Sequence, residues 1–155
     1  MRISPTHIEP EMGANERFEA IRELLLLLVR AGTLSRDVEP AIFTACSQRE
    51  EIMSTGIGFG LAFPHAEADC LSRPTFAFGR SRTGIEFDSL DGMPVEFVFV
   101  FILPTGMLAQ GKTLMPRVSC RLNDRRTRER LRRCSTAQEI SDILAGDFFD
   151  DDQSA

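Results

Sequence analysis

One segment constrains the fold of this chain more than any other: VEFVFVFILP, at positions 95–104. β-Branched and aromatic side chains fill it, and such residues favour β-strands. Its single charged residue is Glu96. A strand this apolar has to be covered on both faces. The segment therefore predicts the central strand of a sheet that carries helical layers.

Helical patterns lie on both sides of the strand-rich middle of the chain. Apolar residues recur at helical spacing near the N-terminus, and a capping-box sequence begins the last helical pattern. Helices are predicted over 15–31, 37–50, 114–122, 127–134 and 135–145. The phenylalanine-rich segments LAF, TFAFGRS and GIEF predict further strands. This order predicts an α/β (α+β) fold in which a central mixed sheet of about five strands is flanked by helices.

The size of the chain indicates one domain. Its length of 155 residues and its 43% apolar content are enough for one core. We expect a single domain over residues 15–146. Residues 1–14 hold two prolines and a glycine and are expected to form a loose N-terminal segment in which His7 is exposed. Residues 147–155 hold four aspartates and are expected to form an acidic tail.

Composition excludes several classes of function. The net charge of −5 gives no overall positive field for a nucleic-acid partner. The longest apolar runs fall far short of the roughly 20 residues that a membrane span needs, and the first residues lack the apolar core of a signal peptide. Four scattered cysteines without a CxxC pair indicate reduced thiols and no zinc site. We expect a cytoplasmic protein without a metal or other cofactor and without membrane insertion.

A glycine-rich loop stands just before one of the two histidines, in the segment STGIGFGLAFPHA, residues 54–66. Its glycines are Gly56, Gly58 and Gly60. Glycine lets backbone N–H groups approach an anion closely, and Ser54 and Thr55 add hydroxyl donors, so the loop can hold phosphate oxygens. His65 is mostly neutral at pH 7, with a nitrogen lone pair that can attack phosphorus. A plain turn between a helix and a strand is the alternative, because the GxGxG spacing alone is a weak motif.

The longer segment REEIMSTGIGFGLAFPHA, residues 49–66, closely resembles the active-site segment of the IIA domains of the bacterial phosphotransferase system, of the fructose/mannitol and nitrogen-regulatory type. The family's Arg-Glu pair, Ser-Thr-Gly-Ile-Gly loop and Pro-His dipeptide recur here in that order. The similarity continues through GIEFDSLDGMPVEFVFVFILP and LRRCSTAQEISDIL and covers residues 15–146. The resemblance implies an EIIA fructose/mannitol-like fold.

In that family a histidine accepts a phosphoryl group from an HPr-type phosphocarrier protein or from its nitrogen-branch relative. The resemblance implies that His65 is this acceptor, and that Arg49 and Thr55 assist at the catalytic centre. The residues expected to bind the phosphate are Ser54, Gly56, Gly58 and Gly60. The further partners that it implies are an EIIB component or a regulated target protein. The STGIG sequence is close to the nitrogen-regulatory variant, which favours a regulatory role over a dedicated sugar-import relay.

The chain departs from the family pattern at a second histidine. Family members usually carry it shortly after the apolar strand, where it orients the acceptor ring or steadies the phosphate. Here Gly111 or Lys112 takes that position, and no histidine follows His65. Lys112, the only lysine, is the candidate for a compensating charge in the phosphate site. The alternative function is a degenerate EIIA-fold binding module that acts by docking to a protein, without efficient phosphotransfer.

Two further segments indicate rival functions. Residues 106–113, GMLAQGKT, match the P-loop pattern GxxxxGKS/T, which predicts a nucleotide-binding loop when a strand precedes it. No second apolar strand ending in an aspartate for magnesium follows it. Residues 117–134 hold eight arginines against two acidic residues. A solvated helix face explains this run better than a nucleic-acid surface, because no aromatic residue is interleaved for base stacking.

Overall fold

The central strand predicted from the apolar segment is present, with its neighbours, in the computed structural model, which describes residues 2–145. The strands are β1 (Ile8–Glu9), β2 (Gly56–Gly58), β3 (Leu61–Ala62), β4 (His65–Ala68), β5 (Thr75–Ile85) and β6 (Val95–Pro104). The helices are α1 (Arg17–Arg30), α2 (Glu39–Ile52), α3 (Leu108–Leu122), α4 (Arg125–Arg133) and α5 (Ala137–Ala145). A short 3-10 helix, Pro5–His7, precedes β1.

The strands form one mixed sheet of six, in the order β1-β5-β6-β3-β2, and β4 also pairs with β6. β5 and β6 are antiparallel, β1 runs parallel to β5, and β3 and β4 run parallel to β6. Leu61 of β3 pairs with Phe97, near the start of β6, and His65 of β4 pairs with Phe101 further along. The strand pairing therefore places the end of the glycine-rich loop beside the start of β6, and His65 beside the second half of β6.

Helices cover both faces of this sheet. Side chains alternate between the two faces along a strand. Every residue of β6 from Phe97 to Leu103 is at most 1% exposed. Val98, Val100 and Ile102 pack in the core with α1 and α2. Phe97, Phe99 and Phe101 pack in the core with α3, α4 and α5. The predicted mixed sheet flanked by helices is thus confirmed.

The N-terminal residues differ from the expected loose segment. They form the 3-10 helix and β1, which pairs with the edge of β5 and so protects it. Ile3, Ile8 and Met12 are buried at 5%, 3% and 8% exposure. His7 is half-buried, with Nε2 2.6 Å from Oγ1 of Thr33. The expectation of a loose segment with an exposed His7 is wrong because these apolar side chains complete the core.

Some element boundaries also differ from the predictions. α1 begins at Arg17 and not at residue 15, because the carboxylate of Glu16 caps it by accepting from two backbone N–H groups of the first turn. α3 begins at Leu108 and not near Leu114, directly after a turn in which Gly106 has φ +87°. The GIEF segment is not a separate strand, because β5 continues through a register shift to Ile85. The predicted acidic tail lies outside the described residues.

Two predictions from composition, on membrane insertion and on reduced thiols, concern features that the structure describes. No helix within residues 2–145 combines the length and the apolar character that a membrane crossing requires. The four cysteines are free thiols: Cys46 and Cys134 are buried, and Cys70 and Cys120 are exposed.

Candidate functional site

His65 opens β4 opposite Phe101 of the central strand. Its side chain is half-buried, and Nδ1 lies 3.1 Å from the carbonyl oxygen of Phe63. A carbonyl oxygen can only accept a hydrogen bond, so Nδ1 carries the proton and donates it. The other ring nitrogen, Nε2, therefore keeps its lone pair, which is the form that a nucleophile needs.

The surroundings of His65 favour the neutral ring. Burial lowers the pKa of His65 below its ordinary value of 6.5. The hydrogen bond to Phe63 and the charge of Glu50 raise this pKa and the charge of Arg49 lowers it, with a net shift downward. The Arg49 guanidinium is itself held by a hydrogen bond of 2.9 Å from Nη1 to the carbonyl of Met53. The neutral form of the His65 imidazole is therefore the major one at pH 7.

Buried Glu50 anchors the loop to the segment just before His65. Glu50 lies in the last turn of α2 and is 0% exposed. Its Oε1 accepts the Thr55 N–H at 2.8 Å, and its Oε2 accepts the Thr55 hydroxyl at 2.6 Å. The carbonyl of Thr55 in turn accepts the N–H of Phe63 at 3.2 Å. One carboxylate thus fixes the segment whose Phe63 carbonyl orients the His65 ring.

Ser54 and Gly56 form a tightly packed corner beside Thr55. The Ser54 hydroxyl donates to the carbonyl of Phe87 at 2.6 Å and accepts the N–H of Gly56 at 3.1 Å. A Cβ on Gly56 would lie only 2.4 Å from Oγ of Ser89. Glycine at position 56 is therefore required by the close approach of Ser89, whatever the loop binds.

Gly58 and Gly60 lie farther from the imidazole. Their φ angles are +103° and +73°, values that favour glycine and turn the chain between β2 and β3. Leu61, which follows Gly60, pairs with Phe97. The His65 partner Phe101 lies four residues along β6, a distance of about 13 Å. Phosphate binding by Gly58 and Gly60 stays a prediction, and their conformation already explains them as turn residues.

The position of the missing second histidine falls in the first half of α3. Gly111 is buried there, and a Cβ on it would lie 2.4 Å from Cδ1 of Leu103. Leu103 is only 1% exposed, so a histidine at position 111 has no room without repacking. Lys112 follows on the exposed side of the helix. Its role as a compensating cation stays a prediction.

Residues 106–113, which match the P-loop pattern, do not form an open loop. α3 already begins at Leu108, so the second half of the motif lies inside a helix. The N–H of Gly106 donates to Oε1 of Glu67 at 3.1 Å. A P-loop needs such amides free to face phosphate oxygens, and here a carboxylate occupies one of them. This geometry does not favour nucleotide binding.

Large apolar side chains are exposed around the loop and the end of α2. They are Ile52, Met53, Ile57, Phe59, Leu90 and Met93, with exposures between 39% and 82%. Asp91 links two members of this set, because its carboxylate accepts the N–H of Phe59 at 3.3 Å and the N–H of Met93 at 3.0 Å. The N–H of Leu90 donates to the carbonyl of Gly56 at 3.0 Å. This set is the candidate protein-interaction surface of the described residues.

Two features of the site have no counterpart in the predictions from sequence. The Phe63 carbonyl orients the His65 ring, and Glu50 anchors Thr55. Glu50 does carry a signal in the sequence. It stands in the last turn of a predicted helix, where the helix dipole favours cations, so its placement there calls for a specific partner.

Both histidines are expected to titrate below pH 6.5 in the folded protein. Burial lowers the pKa of His65 and of His7, so around pH 6.5 the unfolded chain binds protons that the folded protein does not. The histidine contribution to the free energy of unfolding is therefore present above pH 6.5 and decreases as the pH falls below it. NMR titration of the imidazole signals, assigned with His7→Asn, measures both midpoints. A His65 midpoint at or above 6.5 would contradict the neutral, half-buried ring.

Replacement of Glu50 by alanine is expected to lower the free energy of unfolding by about 2–4 kcal/mol. The buried Thr55 N–H and hydroxyl would lose their acceptor. Glu50→Gln keeps the volume but removes the charge that raises the pKa of His65, so the His65 midpoint should move further down. Chemical denaturation and NMR titration measure the two effects. The control is Glu51→Ala at the exposed neighbour. Equal losses of unfolding free energy in the two alanine variants would refute the role of Glu50 as an anchor of the loop.

Comparisons with known proteins identify relatives over most of the chain. The family model "Phosphoenolpyruvate-dependent sugar phosphotransferase system, EIIA 2" matches residues 1–146. The fructose-specific EIIA component of Haloferax volcanii is 36% identical over 126 residues, 81% of this chain and 80% of that protein. A nitrogen regulatory protein of Bradyrhizobium diazoefficiens is 32% identical over 143 residues, 92% of each. The crystal structure of nitrogen regulatory protein IIA-Ntr from Neisseria meningitidis superposes with a TM-score of 0.81 at 30% identity, covering 91% of this chain and 94% of that one.

Proposed function

We propose that this chain, which belongs to the EIIA 2 family of the phosphoenolpyruvate-dependent sugar phosphotransferase system, is a phosphocarrier that accepts a phosphoryl group on His65. The observation that carries the proposal is the state of the His65 ring. Nδ1 donates to the Phe63 carbonyl at 3.1 Å, so Nε2 has a free lone pair in an uncharged imidazole. Nε2 is the proposed acceptor atom.

The proposed donor is an HPr-type phosphocarrier protein that carries a phosphohistidine. Nε2 of His65 attacks the phosphorus, and a new N–P bond forms while the N–P bond of the donor breaks. The electron pair of the broken bond returns to the donor nitrogen. A donor ring protonated on its second nitrogen leaves as a neutral imidazole, so the step transfers no proton. The proton on Nδ1 of His65 stays in its hydrogen bond to Phe63 throughout.

The residues around the ring have supporting roles in this proposal. Arg49 contributes a positive charge that acts on His65 and would stabilise the charge on the transferred phosphoryl oxygens. Thr55 is fixed by Glu50 and holds the backbone of Phe63, so it positions the acceptor. Ser54 and Gly56 shape the same corner. The Ser54 hydroxyl already donates to Phe87 and the Gly56 N–H to Ser54, so their predicted contact with the phosphoryl group requires these two bonds to open.

The exposed apolar residues around the loop are the proposed docking surface for the donor. Phe59 and Leu90, which are 64% and 70% exposed, belong to this set. A partner has to bring its own phosphorylated histidine in line with Nε2, and apolar contacts around the loop can hold the partner in place. The same surface would receive an EIIB component or a regulated target protein.

A regulatory role is the proposed use of the phosphoryl group. It is supported by the identity of 32% over 92% of the nitrogen regulatory protein of Bradyrhizobium diazoefficiens. The fructose-specific relative at 36% identity supports the sugar-import relay as the competing use. Transfer from the phosphorylated protein to an EIIB component distinguishes the two. Slow or absent onward transfer is expected for a regulator, and rapid onward transfer for a relay.

The second candidate function is a binding module that has lost efficient transfer. It is favoured by the absence of any histidine after His65 and by the packing that leaves no room for one at position 111. Incubation with enzyme I, an HPr-type protein and phosphoenolpyruvate tests the choice. A phosphocarrier should gain an acid-labile, alkali-stable label, at a rate that is constant above the pKa of His65 and falls about tenfold per pH unit below it. A stable complex without label would support the binding module.

Replacement of Lys112 by alanine is expected to slow phosphorylation about tenfold if the lysine supplies the compensating charge. Such a fall corresponds to one lost interaction with the transferred phosphoryl group in the transition state. Initial rates of label incorporation measure the effect. Arg126→Ala, an exposed cation at the start of α4, is the matched control. Equal rates for wild type and Lys112→Ala would remove Lys112 from the site.

A further inference from the structure

A groove of about 430 Å³ lies on the β5 side of the central strand, away from His65. It is formed by the 3-10 helix, by the turn after α1 and by the start of β5. Its polar lining residues are Arg2, Ser4, His7, Thr33, Arg73 and Thr75. This volume is within the range of small-molecule sites. The groove shares no lining residue with the site around His65.

The charge of the groove lining is opposite to the charge of the chain. The described residues that line it include two arginines, Arg2 and Arg73, and no carboxylate, although the chain carries a net charge of −5. Arg73 is exposed, and its guanidinium forms no ion pair within residues 2–145. Arg2 pairs with Asp142, with 58% and 56% of the two side chains exposed. An ion pair this exposed is weak, so an anionic ligand can compete for Arg2.

His7 forms a fixed wall of the groove. Its Nε2 lies 2.6 Å from the hydroxyl oxygen of Thr33, and its ring also hydrogen-bonds to the backbone of Phe76. Burial lowers its pKa, so the neutral ring is the major form at pH 7 and adds little charge. Positive charge in the groove therefore comes from the two guanidinium groups, whose planar forks match the oxygens of phosphate and carboxylate.

We propose that this groove binds a small organic anion that carries a phosphate or a carboxylate group. Arg73 and Arg2 would hold the anionic group, the hydroxyl of Ser4 would donate to it, and the apolar lining from Ile3 would contact the ligand body. The site is independent of phosphoryl transfer at His65. The proposal and the phosphocarrier function can therefore fail separately.

Calorimetry on the full-length protein tests this site with phenyl phosphate, benzoate and benzyl alcohol. The aromatic body is shared, and only the charged group differs. We expect saturable binding of phenyl phosphate with a Kd of about 1 mM or below, and no binding of neutral benzyl alcohol. Benzoate that binds as well assigns the site to anions in general, whereas much weaker benzoate assigns it to phosphate esters. Both results support the proposal.

The Arg73→Gln variant is expected to weaken phenyl phosphate binding at least about tenfold, because it loses a charged bidentate contact. Arg126→Gln, an exposed arginine outside the groove, should bind like the wild type. In amide NMR spectra the shifts should centre on Thr33 and Thr75. Absence of saturable binding would overturn the proposal. Equal binding of phenyl phosphate by Arg73→Gln and Arg126→Gln would also overturn it. So would chemical-shift changes centred on the loop at residues 54–60.

Discussion

Replacement of His65 by asparagine is expected to abolish phosphoryl transfer to this chain, a fall of at least about a thousandfold. The asparagine amide nitrogen takes the place of Nδ1 and can donate to the Phe63 carbonyl, so the local hydrogen bond is kept. No atom of asparagine replaces the lone pair of Nε2. The variant thus removes the nucleophile and leaves the architecture that orients it.

The chain supplies a matched control for this variant in His7, the only other histidine. His7→Asn should retain the acid-labile label at close to the wild-type rate. His7 lies before β1 and His65 lies in β4, with β5 and β6 between them, which separates the two by about three strand spacings, or 14 Å. Label that persists in His65→Asn and disappears in His7→Asn would show that the wrong histidine had been identified.

Replacement of Arg80 by methionine is expected to lower the free energy of unfolding by about 3–5 kcal/mol. Arg80 lies in β5 and is 1% exposed. Its Nε donates to the carbonyl of Pro10 at 2.9 Å, and its Nη1 donates to those of Leu131 and Cys134 at 2.8 Å and 2.5 Å. The last two carbonyls lie at the C-terminal end of α4 and its cap residue, where few helical N–H groups are left to donate to them. Methionine fills similar space but donates no hydrogen bond, so the Pro10 carbonyl loses this donor. The carbonyls of Leu131 and Cys134 keep only longer bonds, from the Cys134 N–H at 3.4 Å and from Arg82 at 3.3 Å.

Arg82 provides the control for Arg80, because it lies two residues along the same strand and is half exposed. It pairs with Glu11 at 2.9 Å, with 49% of the Arg82 side chain exposed. Arg82→Met should cost less than about 1 kcal/mol. Urea denaturation followed by circular dichroism suits a chain without Trp or Tyr. Similar losses for the two variants would show that Arg80 does not join β5, the N-terminal segment and α4.

The sequence predicts the centre of this fold better than its edges. β6 is predictable because every residue from Phe97 to Leu103 is apolar, and burial on both faces requires this. β1 spans only two residues and pairs with a strand about 70 positions away, so no local pattern marks it. The early start of α3 depends on a turn at Gly106 whose N–H is held by Glu67, again a contact between distant segments.

In the candidate site, too, local sequence patterns predict some features, and contacts between distant segments determine the others. The motif around His65 predicts the acceptor, Ser54 and Thr55, because their spacing is local, and these roles stay predictions. The hydrogen bond that assigns the proton to Nδ1 depends on the backbone direction of Phe63, which spacing does not define. The role of Glu50 depends on its complete burial beneath the loop. The cationic groove brings together Arg2, Thr33 and Arg73, which sequence order keeps apart.

The most direct measurement is a long-range ¹H–¹⁵N NMR spectrum of the imidazole nitrogens before and after phosphorylation by enzyme I and an HPr-type protein. Before phosphorylation, the predicted result is a neutral His65 ring with its proton on Nδ1. Afterwards, phosphorus should be bonded to Nε2 of His65, with Nδ1 still protonated against the Phe63 carbonyl. Phosphorus bonded to Nδ1, or a His65 ring that is charged at pH 7, would contradict the proposed transfer.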